Sequence, residues 1–136
     1  MNITSHELDF AQIGDAATIS LYTDSEAYTI IDRTAKTITL QRDHAKLDPN
    51  FKPDFTLGGF VGHCTNQREQ SYTYTANPDG HITKITRRVV KSRDFNPETG
   101  EFEDGTRIVW KQAGAATRSP GFTARAGRSK FHDYNF

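Results

Sequence analysis

Two stretches of this chain carry residue types suited to binding a phosphate group. In residues 57–68, three glycines would let backbone N–H groups approach an anion closely. These glycines are Gly58, Gly59 and Gly62, and the side-chain donors that follow them are His63, Thr65, Asn66 and Arg68. The stretch is neither a Walker loop nor a Rossmann fingerprint, because no Lys-Ser or Lys-Thr follows the glycines and the GxGxxG order is absent. An ordinary tight turn is the alternative interpretation.

The second stretch is basic and lies near the C-terminus. The chain has 17 basic and 17 acidic residues, yet no acid occurs between residues 113 and 132. The basic residues there are Arg118, Arg125, Arg128 and Lys130. The glycines and the proline between them favour a loop, so residues 113–130 are predicted to be either an anion-binding basic loop or a solvated flexible loop.

Aromatic side chains could supply a stacking surface for a base. The candidates are Tyr22, Tyr72, Tyr74 and Phe122. In an extended strand Tyr72 and Tyr74 lie on the same face, so both would point into a core or both would form an exposed platform.

The sequence contains no pattern typical of a catalytic or metal centre. It has no CxxC, HxH or HExxH spacing, and its acidic residues are scattered. We therefore expect no catalytic residue, metal or cofactor. The single cysteine, Cys64, cannot form an internal disulfide, and residues 1–7 do not resemble a signal peptide. A cytoplasmic protein without a membrane segment is expected.

Most of the chain shows sequence patterns typical of β-strands, and these strands are expected to position the candidate residues. Residues 16–23 alternate apolar and polar side chains, and residues 26–32 and 36–42 are rich in β-branched types. These three segments are predicted to form a meander. Residues 72–76 and 81–90 are predicted to pair as a hairpin across 77–80, with Gly80 supplying a positive φ.

The remaining segments complete the prediction of a single all-β domain spanning residues 1–136. Residues 1–13 would form an N-terminal arm, and residues 43–68 a long ordered loop with glycines, prolines and aromatics. A further strand is predicted at residues 106–111. The C-terminal residues 131–136 are predicted to dock as an edge strand. The expected architecture is a small barrel or half-open sandwich of five to seven short antiparallel strands.

Seven segments of the chain resemble a widespread group of small phage-encoded proteins. They are residues 14–18, 22–24, 27–31, 41–43, 58–63, 77–80 and 134–136. The resemblance implies the function of a viral sponge, a protein that sequesters the cyclic oligonucleotide signals of bacterial anti-phage (CBASS-type) immunity. It also implies a phage origin and action in the host cytoplasm.

The residues and the resemblance together predict a binding protein that captures a small phosphorylated ligand without turning it over. The predicted ligand-binding residues are Tyr22, Gly59, Gly62, His63, Asn66, Arg68, Tyr72, Arg118, Arg125 and Arg128. A homodimer or higher oligomer is expected, because a small barrel has little concave surface of its own. Three alternatives stay open: a nucleic-acid-binding accessory protein, a phosphodiesterase-like enzyme, and an inhibitor that binds a host protein.

Overall fold

Ten β-strands and two 3-10 helices make up the described part of the chain. The computed structural model describes residues 5–21, 23–58, 61–114 and 122–135, and for residues 56–58 and 61–63 it describes the backbone only. The strands are β1 (Ala16–Ser20), β2 (Ser25–Arg33), β3 (Thr37–Arg42), β4 (His44–Leu47), β5 (Phe55–Gly58), β6 (Val61–Cys64), β7 (Tyr72–Thr75), β8 (Ile82–Asn96), β9 (Glu101–Gln112) and β10 (Thr123–Ala126). The 3-10 helices are Glu7–Asp9 and Gln67–Glu69.

Six of these strands form a closed barrel in the order β1-β10-β9-β8-β3-β2. All neighbouring strands are antiparallel. The predicted meander is confirmed, since β1 pairs with β2 and β2 pairs with β3. The prediction of a small all-β barrel is therefore correct, and the barrel closes fully.

The barrel core is built from alternate residues of the strands. Ala17 and Ile19 of β1, Ile38 and Leu40 of β3, and Trp110 of β9 are almost completely buried. In β2 the pairing with β3 shifts between residues 30 and 32, so that the extra residue, Ile31, is 37% exposed. This bulge keeps the neighbouring Ile30 in the core.

The segment expected to be an N-terminal arm closes one end of the barrel over residues 5–13. Leu8, in the first 3-10 helix, is fully buried in the core cluster. His6 caps this helix, because its Nδ1 accepts from the Leu8 N–H at 3.0 Å and its own N–H donates to Asp9 at 2.9 Å. A buried apolar residue in a capped turn thus helps to anchor the segment.

Residues 43–68, expected to form a long ordered loop, contain three short strands. β4 pairs with β7, and β5 pairs with β6, each as a separate two-stranded sheet. Each of these strands is only four residues long. An alternating pattern is hard to recognise over so few residues, and the prolines and glycines around them indicate a loop instead.

The predicted hairpin of 72–76 with 81–90 is wrong. The turn at 77–80 does form, with the Gly80 N–H donating to the Asn77 carbonyl at 2.9 Å, but it leads from one sheet to another. β7 pairs with β4, whereas β8 pairs with β3 and β9. The reason is burial: Ile85 of β8 is fully buried opposite Ile38, which places β8 in the barrel.

The long hairpin of the fold is β8 with β9, joined by residues 97–100. Its strands pair from Ile85–Gln112 out to Asn96–Glu101. β3 pairs with β8 only up to Thr86, and β10 pairs with β9 only at Trp110 and Lys111. Residues 89–107, the outer part of this hairpin, extend beyond the barrel, and we refer to them as the arm.

The C-terminal segment is docked, but not as an edge strand. Its strand-like contact among the described residues is one isolated bridge between Ser25 and Phe131. Side chains hold the rest: Gln70 accepts from the His132 N–H at 2.9 Å, and the Asn135 amide bonds the Cys64 backbone N–H and carbonyl at 2.6 and 2.9 Å.

Candidate functional site

A polar cleft of about 380 Å³ opens where the end of β3, the start of β4 and the turn before β8 meet. Its lining residues are Glu26, Arg42, Asp43, His44, Ala45, Asn77, Asp79, Gly80, His81 and Lys130. The volume lies towards the lower end of the range of about 300–1,000 Å³ typical of small-molecule sites. We call this feature the charged cleft.

Backbone contacts fix the walls of the charged cleft. The Arg42 N–H donates to the His81 carbonyl and the Asp43 N–H to the Ala27 carbonyl, both at 2.9 Å. Gly80 lies so close to this crossing that a Cβ on it would meet the Arg42 carbonyl oxygen at 2.2 Å. Gly80 does not have the positive φ predicted for it. Glycine is needed there because two backbone segments approach each other.

Glu26 holds two cations at the edge of the charged cleft. Its carboxylate accepts from Arg42 Nη2 at 3.0 Å and from Lys130 Nζ at 2.7 and 2.8 Å. The Arg42 side chain is 48% exposed, whereas that of Glu26 is 16% exposed. The guanidinium of Arg42 therefore presents donors to solvent while its position is fixed by a partly buried carboxylate.

Asp43 forms a second anchor on the same wall. Its side chain is fully buried and accepts from Arg128 Nε at 2.8 Å and from Thr29 Oγ1 at 2.5 Å. Arg128 also donates to Thr29 Oγ1 at 3.2 Å. The negative charge of the buried Asp43 carboxylate is thus stabilised inside the protein, in part by its ion pair with Arg128.

Two exposed histidines, His44 and His81, complete the charged cleft. Acidic and basic side chains nearly balance around it. Neutral imidazole can donate or accept a hydrogen bond, and imidazolium donates from both nitrogens. The lining can therefore bind an anion and also offers two groups able to move a proton.

Two tyrosines contact Lys130. Lys130 Nζ lies 5.6 Å from the centroid of the Tyr72 ring, and the Lys130 N–H donates to the Tyr74 hydroxyl at 2.8 Å. Burial, with smaller effects from Tyr134, Tyr74 and nearby acids, raises the pKa of Tyr72 to about 12. The Tyr72 hydroxyl donates to Gln70 at 2.6 Å. Its ring is therefore already in contact with a cation.

The glycine stretch predicted to bind phosphate is partly β-strand. Gly62 and His63 lie in β6, paired with Leu57 and Thr56 of β5. The Asn66 side chain is already engaged in hydrogen bonds to nearby backbone groups. It accepts from the Asp54 N–H at 2.8 Å and donates to the Lys52 carbonyl at 2.9 Å. Arg68 is exposed in the second 3-10 helix. Tyr22, Gly59 and Arg118 lie outside the described residues.

The two described arginines of the basic stretch are separated by their contacts. Arg125 is in β10, opposite Thr18, and donates to the Ser20 hydroxyl. Arg128 is tied to Asp43, an acid distant in sequence. No hydrogen bond or ion pair between described residues joins either arginine to residues 61–68.

Sequence reasoning missed most of the charged cleft. Arg42, His44, His81 and Lys130 are not among the predicted ligand-binding residues. One signal was present: segments 41–43 and 77–80, both part of the family resemblance, contribute half of the lining residues. Their meeting depends on the pairing of β3 with β8, which local patterns could not reveal.

A larger cavity, of about 620 Å³, lies at the tip of the arm. It is lined by Asp94, Phe95, Asn96, Pro97, Glu98 and Glu103. Three acidic side chains without a basic one would repel a phosphate group, so the smaller charged cleft is the better anion site. Within the described part of the chain no cluster of three or more His, Cys, Asp or Glu could hold a metal ion.

Two further findings concern membrane-spanning helices and similarity to known proteins. Among the described residues, the structure has no helix of the length and apolar character required to cross a membrane. No protein-family model, curated protein or solved structure matches the chain.

Proposed function

We propose that this protein captures a small phosphorylated ligand in the charged cleft and holds it without turning it over. The observation that carries the proposal is the half-exposed guanidinium of Arg42, fixed by Glu26 beside Lys130, His44 and His81. Arginine offers paired donors that match two phosphate oxygens, and a pre-positioned side chain loses little entropy on binding.

The close approach at Gly80 supports this proposal. Because no side chain stands there, the floor of the charged cleft is backbone, and a ligand can approach the turn at 77–80. The volume of about 380 Å³ lies within the range of small-molecule sites.

The ligand class that the resemblance suggests is a cyclic oligonucleotide immune signal. Sequestration requires donors for phosphate and surfaces for the bases, but no activated water or nucleophile. Two segments that carry the resemblance contribute to the charged cleft, which supports placing the ligand there. A phage origin and interference with host defence follow from the same proposal.

A thermal-shift screen against cyclic di- and trinucleotides tests the proposal. A ligand that binds only the native state stabilises it by about 2.7 kcal/mol at a hundred times its dissociation constant. We expect at least one cyclic nucleotide to raise the melting temperature, and less so in Arg42→Ala. If none of the cyclic nucleotides raises the melting temperature, they are excluded as the ligand class.

A phosphodiesterase is the second candidate, favoured by one observation: His44 and His81 line the same cleft as Arg42 and Lys130. Two histidines can act as general acid and general base on a phosphodiester whose charge the cations stabilise. Incubation with the bound nucleotide followed by chromatography separates the two functions. A capture protein returns intact ligand, whereas an enzyme returns cleaved ligand, and His44→Ala or His81→Ala would abolish that cleavage.

A further inference from the structure

The tip of the arm carries two large aromatic side chains on one face. Phe95 of β8 lies directly opposite Phe102 of β9, and their ring centroids are 5.4 Å apart in an edge-to-face arrangement. Phe95 is nevertheless 55% exposed and Phe102 59% exposed. Contiguous apolar surface exposed on a segment that extends beyond the barrel is typical of an interaction site. We call these two residues the aromatic pair.

The charges of the arm are segregated along its length. The basic residues Lys91, Arg93 and Arg107 lie on the barrel side, whereas residues 94–104 at the tip include five acidic residues and no basic one. The acidic residues are Asp94, Glu98, Glu101, Glu103 and Asp104. This local excess of negative charge around the aromatic pair favours a cationic partner and disfavours a nucleic acid or an anionic membrane surface.

A contact within the arm indicates which cation suits the aromatic pair. The guanidinium carbon of Arg93 lies 5.6 Å from the centroid of the Phe102 ring, and Arg93 is opposite Asp104 in the strand register. A guanidinium can stack on an aromatic ring and can bind a carboxylate through two parallel hydrogen bonds, whereas the ammonium of lysine is a point charge. Since more than half of each ring of the aromatic pair is exposed, arginine side chains of a partner can contact them as well.

The cavity at the tip of the arm provides room for such a side chain. Its volume is about 620 Å³, and Phe95, Glu98 and Glu103 are among the residues that line it. Glu103 Oε1 accepts from Asn96 Nδ2 at 2.8 Å, and this hydrogen bond orients the carboxylate. The cavity therefore combines an aromatic ring with carboxylates, the two kinds of group that bind a guanidinium.

We propose that the tip of the arm is a docking surface for an arginine-rich segment of another protein. Guanidinium groups of the partner stack on Phe95 and Phe102 and form ion pairs with the carboxylates of Glu98 and Glu103. This inference is independent of the ligand proposed for the charged cleft, because the cavity at the tip and the charged cleft share no lining residue.

Fluorescence anisotropy with a labelled peptide of eight arginines tests the proposal. The wild-type chain should bind it about fivefold or more tightly than a peptide of eight lysines, which has the same number of basic side chains. Phe95→Ala and Phe102→Ala should each weaken binding of the arginine peptide about fivefold, because each removes a ring on which a guanidinium stacks. Phe10→Ala is the matched control, since Phe10 is 74% exposed but lies outside the arm, and this variant should bind like the wild type.

Two further variants test the contribution of charge. Glu98→Gln should weaken binding of the arginine peptide about twofold to fivefold, whereas Glu69→Gln, which removes an exposed acid in the second 3-10 helix, should have no effect. No binding of the arginine peptide, equal affinity for both peptides or an equal loss in Phe10→Ala and Phe102→Ala would each overturn the proposal. A wild-type dimer in sedimentation equilibrium that Phe102→Ala dissociates would overturn it too, because a second copy would then cover this surface.

Discussion

Two carboxylates in this protein hold cations in different ways. Asp9, at the closed end of the barrel, accepts from Arg87 Nε and Nη2 at 2.9 and 3.2 Å, from Trp110 Nε1 at 3.0 Å and from the His6 N–H at 2.9 Å. Glu26, at the charged cleft, accepts only from Arg42 and Lys130 among the hydrogen bonds described above. Donors at Asp9 point inward to one carboxylate, whereas Arg42 keeps donors towards solvent.

The same type of ion pair can stabilise the fold or prepare a binding surface. Burial acts to raise the pKa of Asp9, but the hydrogen bonds from Arg87, the His6 backbone and Trp110 outweigh it and hold the pKa below its ordinary value. The charged carboxylate is thus stabilised by folding. Glu26 instead fixes the position of cations that remain available to a ligand.

The largest effect is expected from Asp9→Ala. The substitution removes the carboxylate that accepts from Trp110 Nε1 and from Arg87 at the barrel end, so it should lower the free energy of unfolding by about 2–4 kcal/mol. Urea denaturation measures this directly. Asp15→Ala is the control, because the exposed Asp15 carboxylate accepts only the Gln12 N–H in the described structure and its loss should cost about 1 kcal/mol or less.

Gly80→Ala should have the next largest effect, at the crossing that forms the floor of the charged cleft. A Cβ at 2.2 Å from the Arg42 carbonyl oxygen forces two backbone segments apart, at a cost of about 1–3 kcal/mol of stability. Because Arg42 moves with its backbone, ligand affinity should fall as well. Unchanged stability and affinity would show that the turn is not tightly packed against β3.

The smallest effect concerns pH and Tyr72. Its pKa is raised from 10.0 to about 12, chiefly by burial, so folding favours the neutral hydroxyl. The corresponding stability is present below pH 10 and is lost as pH rises towards 12. Tyr72→Phe should flatten this alkaline decline in melting temperature. Tyr74→Phe is the matched control, and an equal response in both variants would contradict the assignment to Tyr72.

Local patterns predicted five of the six barrel strands, but they predicted neither the site nor β10, which lies in residues 113–130 where a basic loop was expected. The alternation of Ala17 and Ile19, or of Ile38 and Leu40, depends on neighbours within one strand, and these residues are in the core as the patterns indicate. By contrast, the turn at 77–80 has the composition of a hairpin, yet the buried position of Ile85 determines where β8 goes. The partner of Arg128 is Asp43, which no local rule connects to it.

Calorimetric titration of a cyclic nucleotide that passes the thermal-shift screen tests whether the ligand binds in the charged cleft. Arg42→Ala and Arg68→Ala form the informative pair, since both remove an exposed arginine but only Arg42 lines the charged cleft. We predict that Arg42→Ala weakens binding by about 1.5–3 kcal/mol, the worth of a hydrogen bond to a charged group, while Arg68→Ala binds like the wild type. Wild-type affinity in Arg42→Ala together with weakened binding in Arg68→Ala would exclude the charged cleft and place the ligand at the glycine stretch.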